Sequence, residues 1–258
     1  MPNVSIIMPN FNGERFIKAA IQSVISQTYT DWELIVSDDY STDASAEIVE
    51  RLMESDSRIK LIKGEEAGTG PAKTRNRAIS IASGRFIAFL DSDDLWDPTK
   101  LEKQLALHKE KQCKLSFTGL LKMDGDGKVA GDMMLPKSEV SYGQLLRRNF
   151  LPCSSVVVDR DLVDDVEMPD VFRRQDFALW LKILRKGGKA FAVEEPLLIY
   201  RVYPESFSAS KAIGALFHWK VLREQEKLNV FSSSFYFVQY AAMSGKDYLV
   251  GKLNLARA

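Results

Sequence analysis

Cysteine and histidine are scarce in this sequence, two of each among 258 residues. Cys113 and Cys153 form no C-x-x-C pair, and His108 and His218 stand far apart, which argues against a zinc site. So few thiols fit a reducing compartment. Long apolar runs are missing too: none approaches the roughly 18 residues of a membrane span. The opening stretch, MPNVSIIMPNFNG, lacks the basic flank and long apolar core of a signal peptide. Neither charge sign dominates, with 35 Lys and Arg against 35 Asp and Glu, which removes support for bulk nucleic-acid binding. Internal repeats and low-complexity segments are absent. What remains is 45% hydrophobic and 27% charged, the composition of a globular chain with a sizeable core. The expectation is a cytoplasmic protein, with peripheral contact at the inner face of the membrane left open.

The first hundred residues alternate between two periods. Short apolar runs at 4–9, 32–36, 58–62 and 85–90 read as strands. Between them, residues 14–26, the stretch after Ser41 or Asp43, and 71–83 carry apolar residues at helical spacing. Gly84 is expected to close the third of these helices. Asp97-Pro98 suits the start of a helix through about Lys111. This alternation predicts a mostly parallel sheet with helices on both faces. Ligands of such sheets bind beyond the carboxyl ends of the strands. PNFNG, SDDYSTD and DSDD each follow a strand, so they are expected to gather at one edge.

Beyond Lys111 the pattern changes. Residues 114–123 and 128–135 flank DGDG and predict a hairpin. DGDG is no calcium loop, since Leu135 stands where the twelfth-position Glu is needed. Ser141 and Gln144 predict a capping box. Residues 154–158 read as a strand, DFALWLKILRKGG as a helix with a Gly stop, and AFAV and LLIYRV as two late strands. From about Ser206 the chain reads as helical, with Phe217, Trp219, Phe231, Phe235, Tyr236, Phe237 and Tyr240 among Lys211, Lys220, Arg223 and Lys227.

Three carboxylates within four positions, Asp91, Asp93 and Asp94, end the apolar run RFIAFL. Residues i and i+2 of a strand point the same way, so Asp91 and Asp93 can aim at one point. Such a pair makes a hard-oxygen site for Mg²⁺ or Mn²⁺, completed by water and phosphate oxygens. The alternative is a solvated acidic turn, but Asp97 already serves as a helix cap. Asp94 is assigned to ordering the turn. Asp38 and Asp39 form a second acidic pair, able to accept a base N–H or to cap a helix. Gly68, Gly70, Lys73 and Arg75 form a loop that could meet phosphates, though it is neither a P-loop nor a full G-x-G-x-x-G. Asp176 opens a helix, as a cap or as a general base. His108 reads as a packed histidine.

Taken together, VSIIMPNFNGERFIKAAIQSVISQTYTDWELIVSDDYSTD, GPAKTRNRAI, SGRFIAFLDSDDLWDPTKLEKQL and QDFALWLKILRKG resemble the family 2 glycosyltransferases, from Val4 to about Arg201. The resemblance implies an α/β GT-A fold, Rossmann-like, with a helical C-terminal extension. It would comprise a catalytic domain over 1–205 (nucleotide half 1–97, acceptor half 98–205) and an extension over 206–258. It implies that Pro9, Asn10, Phe11 and Asn12 line the nucleotide pocket. Asp39, with Asp38, would hold the base, and Arg75 and Asn76 would lie near the ribose and diphosphate. Asp91-Ser92-Asp93 would be the D-x-D motif, with Asp93 the direct metal ligand and Asp91 nearer the ribose or a metal-bound water. Asp176 would be the catalytic base, and Arg201 a candidate for the diphosphate. The implied activity is inverting, metal-dependent (Mn²⁺ or Mg²⁺) transfer from a nucleotide-diphosphate sugar, UDP foremost, to a saccharide or lipid-linked saccharide hydroxyl in bacterial surface-polysaccharide synthesis. Trp96 and the region 140–205 are expected to meet the acceptor. Two departures stand out: Tyr40 where the family often has Gly, and Gln175 where it often has Glu. A sugar-phosphate nucleotidyltransferase is the competing enzyme, but PNFNG stands where its Gly-rich loop would. A non-catalytic carbohydrate-binding module is the other alternative. The aromatic tail leaves membrane contact, a homodimer interface and packing on its own domain open.

Overall fold

The computed structural model describes residues 1–66, 68–204 and 211–255, without side chains at 130–132, 211–212 and 246–255. The chain runs β1 (Val4–Asn10), α1 (Ile17–Ile25), β2 (Trp32–Asp38), α2 (Ser45–Ser55), β3 (Ile59–Lys63), α3 (Pro71–Ser80) and β4 (Phe86–Phe89). It continues through β5 (Leu95–Trp96), α4 (Lys100–Lys111), β6 (Leu115–Met123), β7 (Val129–Met134), β8 (Glu139–Ser141), α5 (Tyr142–Leu145) and β9 (Val157–Asp159). The last elements are α6 (Gln175–Arg185), β10 (Lys189–Arg201), α7 (Lys211–Lys220) and α8 (Val230–Leu255).

The strands form one sheet in the order β3-β2-β1-β4-β9-β6-β10-β5, with β7 beside β6 and β8 beside β10. The first four strands are mutually parallel, as the strand–helix alternation predicts. Beyond them the sheet is mixed, since β9 pairs antiparallel with both β4 and β6 while β10 runs parallel to β6. Successive strand residues go to opposite faces. Ile7, Ile35 and Phe89 pack with α3 and α6 on one face; Ile6, Leu34 and Ala88 pack with α1 and α4 on the other.

Several elements differ from their sequence expectation. Residues 154–158 are not all strand: Cys153–Ser155 make a tight helical turn before β9. AFAV and LLIYRV belong to one strand, β10, which keeps pairing with β6 through a bulge between Val193 and Leu198. Gly84 does not close α3, which ends at Ser80; a Cβ there would lie 2.6 Å from the Ser5 nitrogen, so this glycine serves close approach to β1. The hairpin, the capping box and the glycine stop after α6 are present. The helical tail is present from Lys211, while the expected boundary at 205–206 and residues 206–210 lie outside the described residues.

Candidate active site

Pro9, Asn10, Phe11, Asn12, Asp39, Arg75, Asp91, Ser92, Asp93 and Asp176 line a single cleft of about 1040 Å³. It opens beyond the carboxyl ends of β1, β2 and β4, where a parallel sheet gathers its loops. Asp38 and Asn76 are not among its walls. The Asp38 carboxylate is buried and accepts from Asn10 Nδ2 (2.6 Å), Ser41 N (2.8 Å) and Ser41 Oγ (2.6 Å). It binds the ends of β1 and β2 together. Asn76 exchanges two hydrogen bonds with the Met168 backbone, of 2.9 and 2.8 Å, and anchors the segment before α6. Trp96, expected near the acceptor, is buried in the core, with Nε1 donating to Ser154 O (2.7 Å) and Lys100 Nζ 4.0 Å from its ring centre.

Asp39 is the member of its pair that faces the cleft. Its carboxylate accepts from Gly70 N (3.1 Å) and the Thr69 hydroxyl, with an Arg77 nitrogen 3.4 Å away. The turn that separates Asp38 from Asp39 continues through Tyr40 at φ 67°. Gly70 (φ 86°) lets the chain swing from Asp39 into α3. Lys73 is exposed, away from the cleft, and Arg77 rather than Lys73 meets the acidic pair. Thr74 and Arg77 share a helix face at spacing i, i+3, the signal that could have found Arg77.

The chain turns at Ser92-Asp93, so strand alternation stops at Phe89. The turn, closed by Asp94 N to Asp91 O (3.1 Å), still brings Asp91 and Asp93 to the cleft. Asp91 pairs with the buried Arg75, whose charge burial opposes and the surrounding acidic groups, Asp91 foremost, keep in place. Burial, then the charge of Asp91, raises the Asp93 carboxyl above its ordinary value; the Tyr203 hydroxyl, donating at 2.9 Å, acts against this. Asp94 is turned away: Ser154 Oγ (2.6 Å) and Arg201 N (2.9 Å) donate to it, tying the turn to β10 and to the Cys153–Ser155 turn, not merely to α4. Arg201 is fixed by Asp93 O (2.8 Å) and Asp124 O (3.1 Å) and lies 4.2 Å over the Phe16 ring.

Asp176 lies in the first turn of α6 and is not its cap; that position is Arg174. Asn149 Nδ2 donates to it at 3.2 Å. Burial raises its carboxyl above the ordinary range and Asp91 adds to this, against the Phe177 backbone N–H, Arg75 and Arg174. Arg15, Phe16, Asn149, Arg174 and Tyr203 also line the cleft. Phe16, Asn149 and Tyr203 carry no charge to mark them in the sequence, and Arg15 and Arg174 stand near acidic residues with no spacing that points to a site.

The acidic turn suits a divalent cation. Among the described residues no three His, Cys, Asp or Glu side chains converge on one point. One or two carboxylates suffice where phosphate oxygens complete the shell. Burial and the neighbouring charge of Asp91 make Asp93 costly to ionise, a cost that a bound cation would offset.

The fold matches solved structures. Staphylococcus aureus TarS with UDP aligns at a TM-score of 0.69 with 21% identity, covering 93% of this chain and 70% of that one. The mannosyltransferase PcManGT of Pyrobaculum calidifontis, in complex with GDP-Man and Mn²⁺, aligns at 0.70 with 17% identity, covering 100% and 81%. These likenesses define the GT-A fold. The family model described as Glycosyl transferase family 2 matches residues 5–155. Sequence likeness runs further. The putative teichuronic acid biosynthesis glycosyltransferase TuaG of Bacillus subtilis is 38% identical over 248 residues, 96% of this chain and 98% of that one. The UDP-Glc:alpha-D-GlcNAc-diphosphoundecaprenol beta-1,3-glucosyltransferase WfgD of Escherichia coli is 38% identical over 255 residues, with the same coverage. The chain belongs to glycosyltransferase family 2 and is a glycosyltransferase, which sets aside the nucleotidyltransferase and binding-module readings.

Proposed function

We propose that the protein transfers a sugar, with inversion, from a UDP-sugar to a hydroxyl of a lipid-linked saccharide in bacterial surface-polysaccharide synthesis. The observation that carries this reading is the convergence of Asp39, Arg75, Asp91, Asp93 and Asp176 on one cleft. The donor half follows from chemistry. Asp39 accepts a ring N–H of the base, while Phe11, half-exposed at the cleft wall, offers its face to that base. Asp93, with Asp91 beside it, would hold Mn²⁺ or Mg²⁺. When bound, such a cation neutralises charge on the leaving diphosphate. Arg75 orients Asp91, and Arg201 holds the backbone of the acidic turn in place.

Asp176 removes the acceptor proton as that oxygen attacks the anomeric carbon from the face opposite the diphosphate. Burial raises its carboxyl above the ordinary range, the direction that makes a carboxylate a stronger base. Relatives whose names specify UDP-Glc and diphosphoundecaprenol-linked acceptors support the donor and acceptor classes. The 1–205 and 206–258 division belongs to this reading, as does contact of the extension with the inner membrane face.

The test is nucleotide release from UDP-glucose, UDP-GlcNAc and GDP-mannose. Each is assayed with Mn²⁺ and with EDTA, beside an N-acetylglucosaminyl diphosphate lipid acceptor. We expect acceptor-dependent UDP release that EDTA abolishes. Asp176→Asn should lower it by on the order of 10²–10⁴-fold, with UDP affinity kept. Wild-type turnover in that variant refutes the base assignment.

A further inference from the structure

Asp176 follows a backbone strain point that is secured from the far end of the chain. Arg174 takes φ 62°, the left-handed region that side chains disfavour. Its Nε donates to Gly214 O (2.8 Å) in α7, and its Nη2 to Tyr240 Oη (2.9 Å) in α8. The guanidinium also lies 5.2 Å from the Tyr240 ring centre. Gly214 itself lines the cleft. A Cβ on it would lie 3.9 Å from Tyr240 Oη, an ordinary contact, but 3.3 Å from Arg174 Nη2, so the guanidinium would have to shift by a few tenths of an ångström.

A ring stack repeats the connection one turn further on. His218 of α7 is buried between Phe177 of α6 (5.0 Å, 17°) and Tyr240 of α8 (4.2 Å, 13°). Its Nε2 meets Leu146 O at 3.2 Å, and burial holds its pKa down to about 3, so a neutral ring fills the stack.

We propose that α7, whose Gly214 lines the cleft, and α8 behind it clamp Arg174 as a working wall of the active site and so position Asp176 toward the acceptor. Arg174 is a positioning residue, not a catalytic one. The inference rests on the reading of Asp176 as the base. Among the described residues, the titratable groups that act on that carboxylate include Arg75 from α3, Asp91 from the turn after β4, Cys153 from the turn before β9, and Arg174. Arg174 alone among them is held by the C-terminal helices.

Full-length Tyr240→Phe, Gly214→Ala, Arg174→Gln and Arg174→Lys are compared with wild type. The assay is UDP release from UDP-glucose with the N-acetylglucosaminyl diphosphate lipid. UDP affinity by calorimetry and the melting temperature are measured in parallel. Tyr240→Phe and Gly214→Ala should lower kcat by on the order of 10- to 100-fold, the effect of a small misplacement, with UDP affinity and melting unchanged. Arg174→Gln removes a cation that favours ionised Asp176. The acid limb of kcat, and the midpoint of the Asp176 signal in carboxyl-labelled NMR, should therefore both move to higher pH. Arg174→Lys should restore the midpoint but not kcat.

Asp176→Asn with wild-type turnover would overturn the base reading itself. If Asp176→Asn is inactive while Tyr240→Phe and Gly214→Ala keep full kcat, the wall alone is refuted. An NMR midpoint unmoved in Arg174→Gln refutes it without any turnover. So does a kcat loss that only follows loss of melting temperature or of UDP affinity.

Discussion

Tyr40 carries the clearest mismatch between a residue and its place. Its φ of 67° is one that a side chain adopts at a cost of about 1–2 kcal/mol. The ring is 53% exposed, so little packing offsets that cost. Tyr40→Gly should relieve it, less about 0.5–1 kcal/mol for glycine's greater freedom when unfolded. The expected outcome is a melting temperature raised by about 1–4 °C, read by calorimetry; a fall would show that the tyrosine is held by contacts its exposure hides. The left-handed turn also explains what the sequence could and could not reveal. Asp39, Asp91, Asp93 and Asp176 were legible because each is a charge just past a strand end or at a helix start, and Arg75 because its helix follows a Gly-containing loop. Asp39 was already the first choice for the nucleotide base, but that Asp38 turns away from the cleft was not legible, because neighbours of like chemistry are sorted by the backbone between and after them. Asn76 was misplaced for a related reason: on a helix, one residue's step turns the side chain by about 100°, from the cleft at Arg75 to Met168.

The bulge in β10 shapes the mixed end of the sheet. Five positions from Val193 to Leu198 span only the step from Thr118 to Leu120 on β6. The charged and proline residues at 194–196 broke the alternation and made one strand read as two. The parallel half was legible because its periods were clean, whereas the mixed half depends on pairings between distant segments. Gly119, opposite the bulge, has no room for a side chain: a Cβ would lie 2.8 Å from Met134 O and 2.9 Å from Glu195 O. Backbone carbonyls on two strands do not yield easily. Gly119→Ala should therefore cost on the order of 1–3 kcal/mol, measured by urea unfolding. UDP affinity should fall with it, because Arg201 and Tyr203 lie just beyond the displaced segment. Unchanged stability would mean that β7 moves aside freely.

Across the whole molecule, the C-terminal helices present two faces of opposite character. One packs on α6 through His218 and Tyr240. The other exposes Phe231 (87%), Phe235 and Val238 at helical spacing on α8, within residues 228–245, which carry no charge. No helix among the described residues is long and apolar enough to cross a membrane. A contiguous exposed apolar stripe marks a surface for a membrane or for a protein partner. The protein is expected to co-sediment with anionic liposomes, and Phe231→Ser with Phe235→Ser to release it. Wild-type protein that stays in the supernatant and sediments as a dimer would assign the stripe to a second copy instead.

The strand order has a consequence for the making of the protein. β10 is the last strand in sequence, yet it lies inside the sheet, between β6 and β5. A growing chain therefore holds β6 with one edge open until residues 124–188 have been added, several seconds at roughly 5–20 residues per second. An open strand edge is a template for mispairing. The chain is thus most exposed to aggregation during its synthesis, along the seam that β10 later fills to bring Arg201 to the cleft.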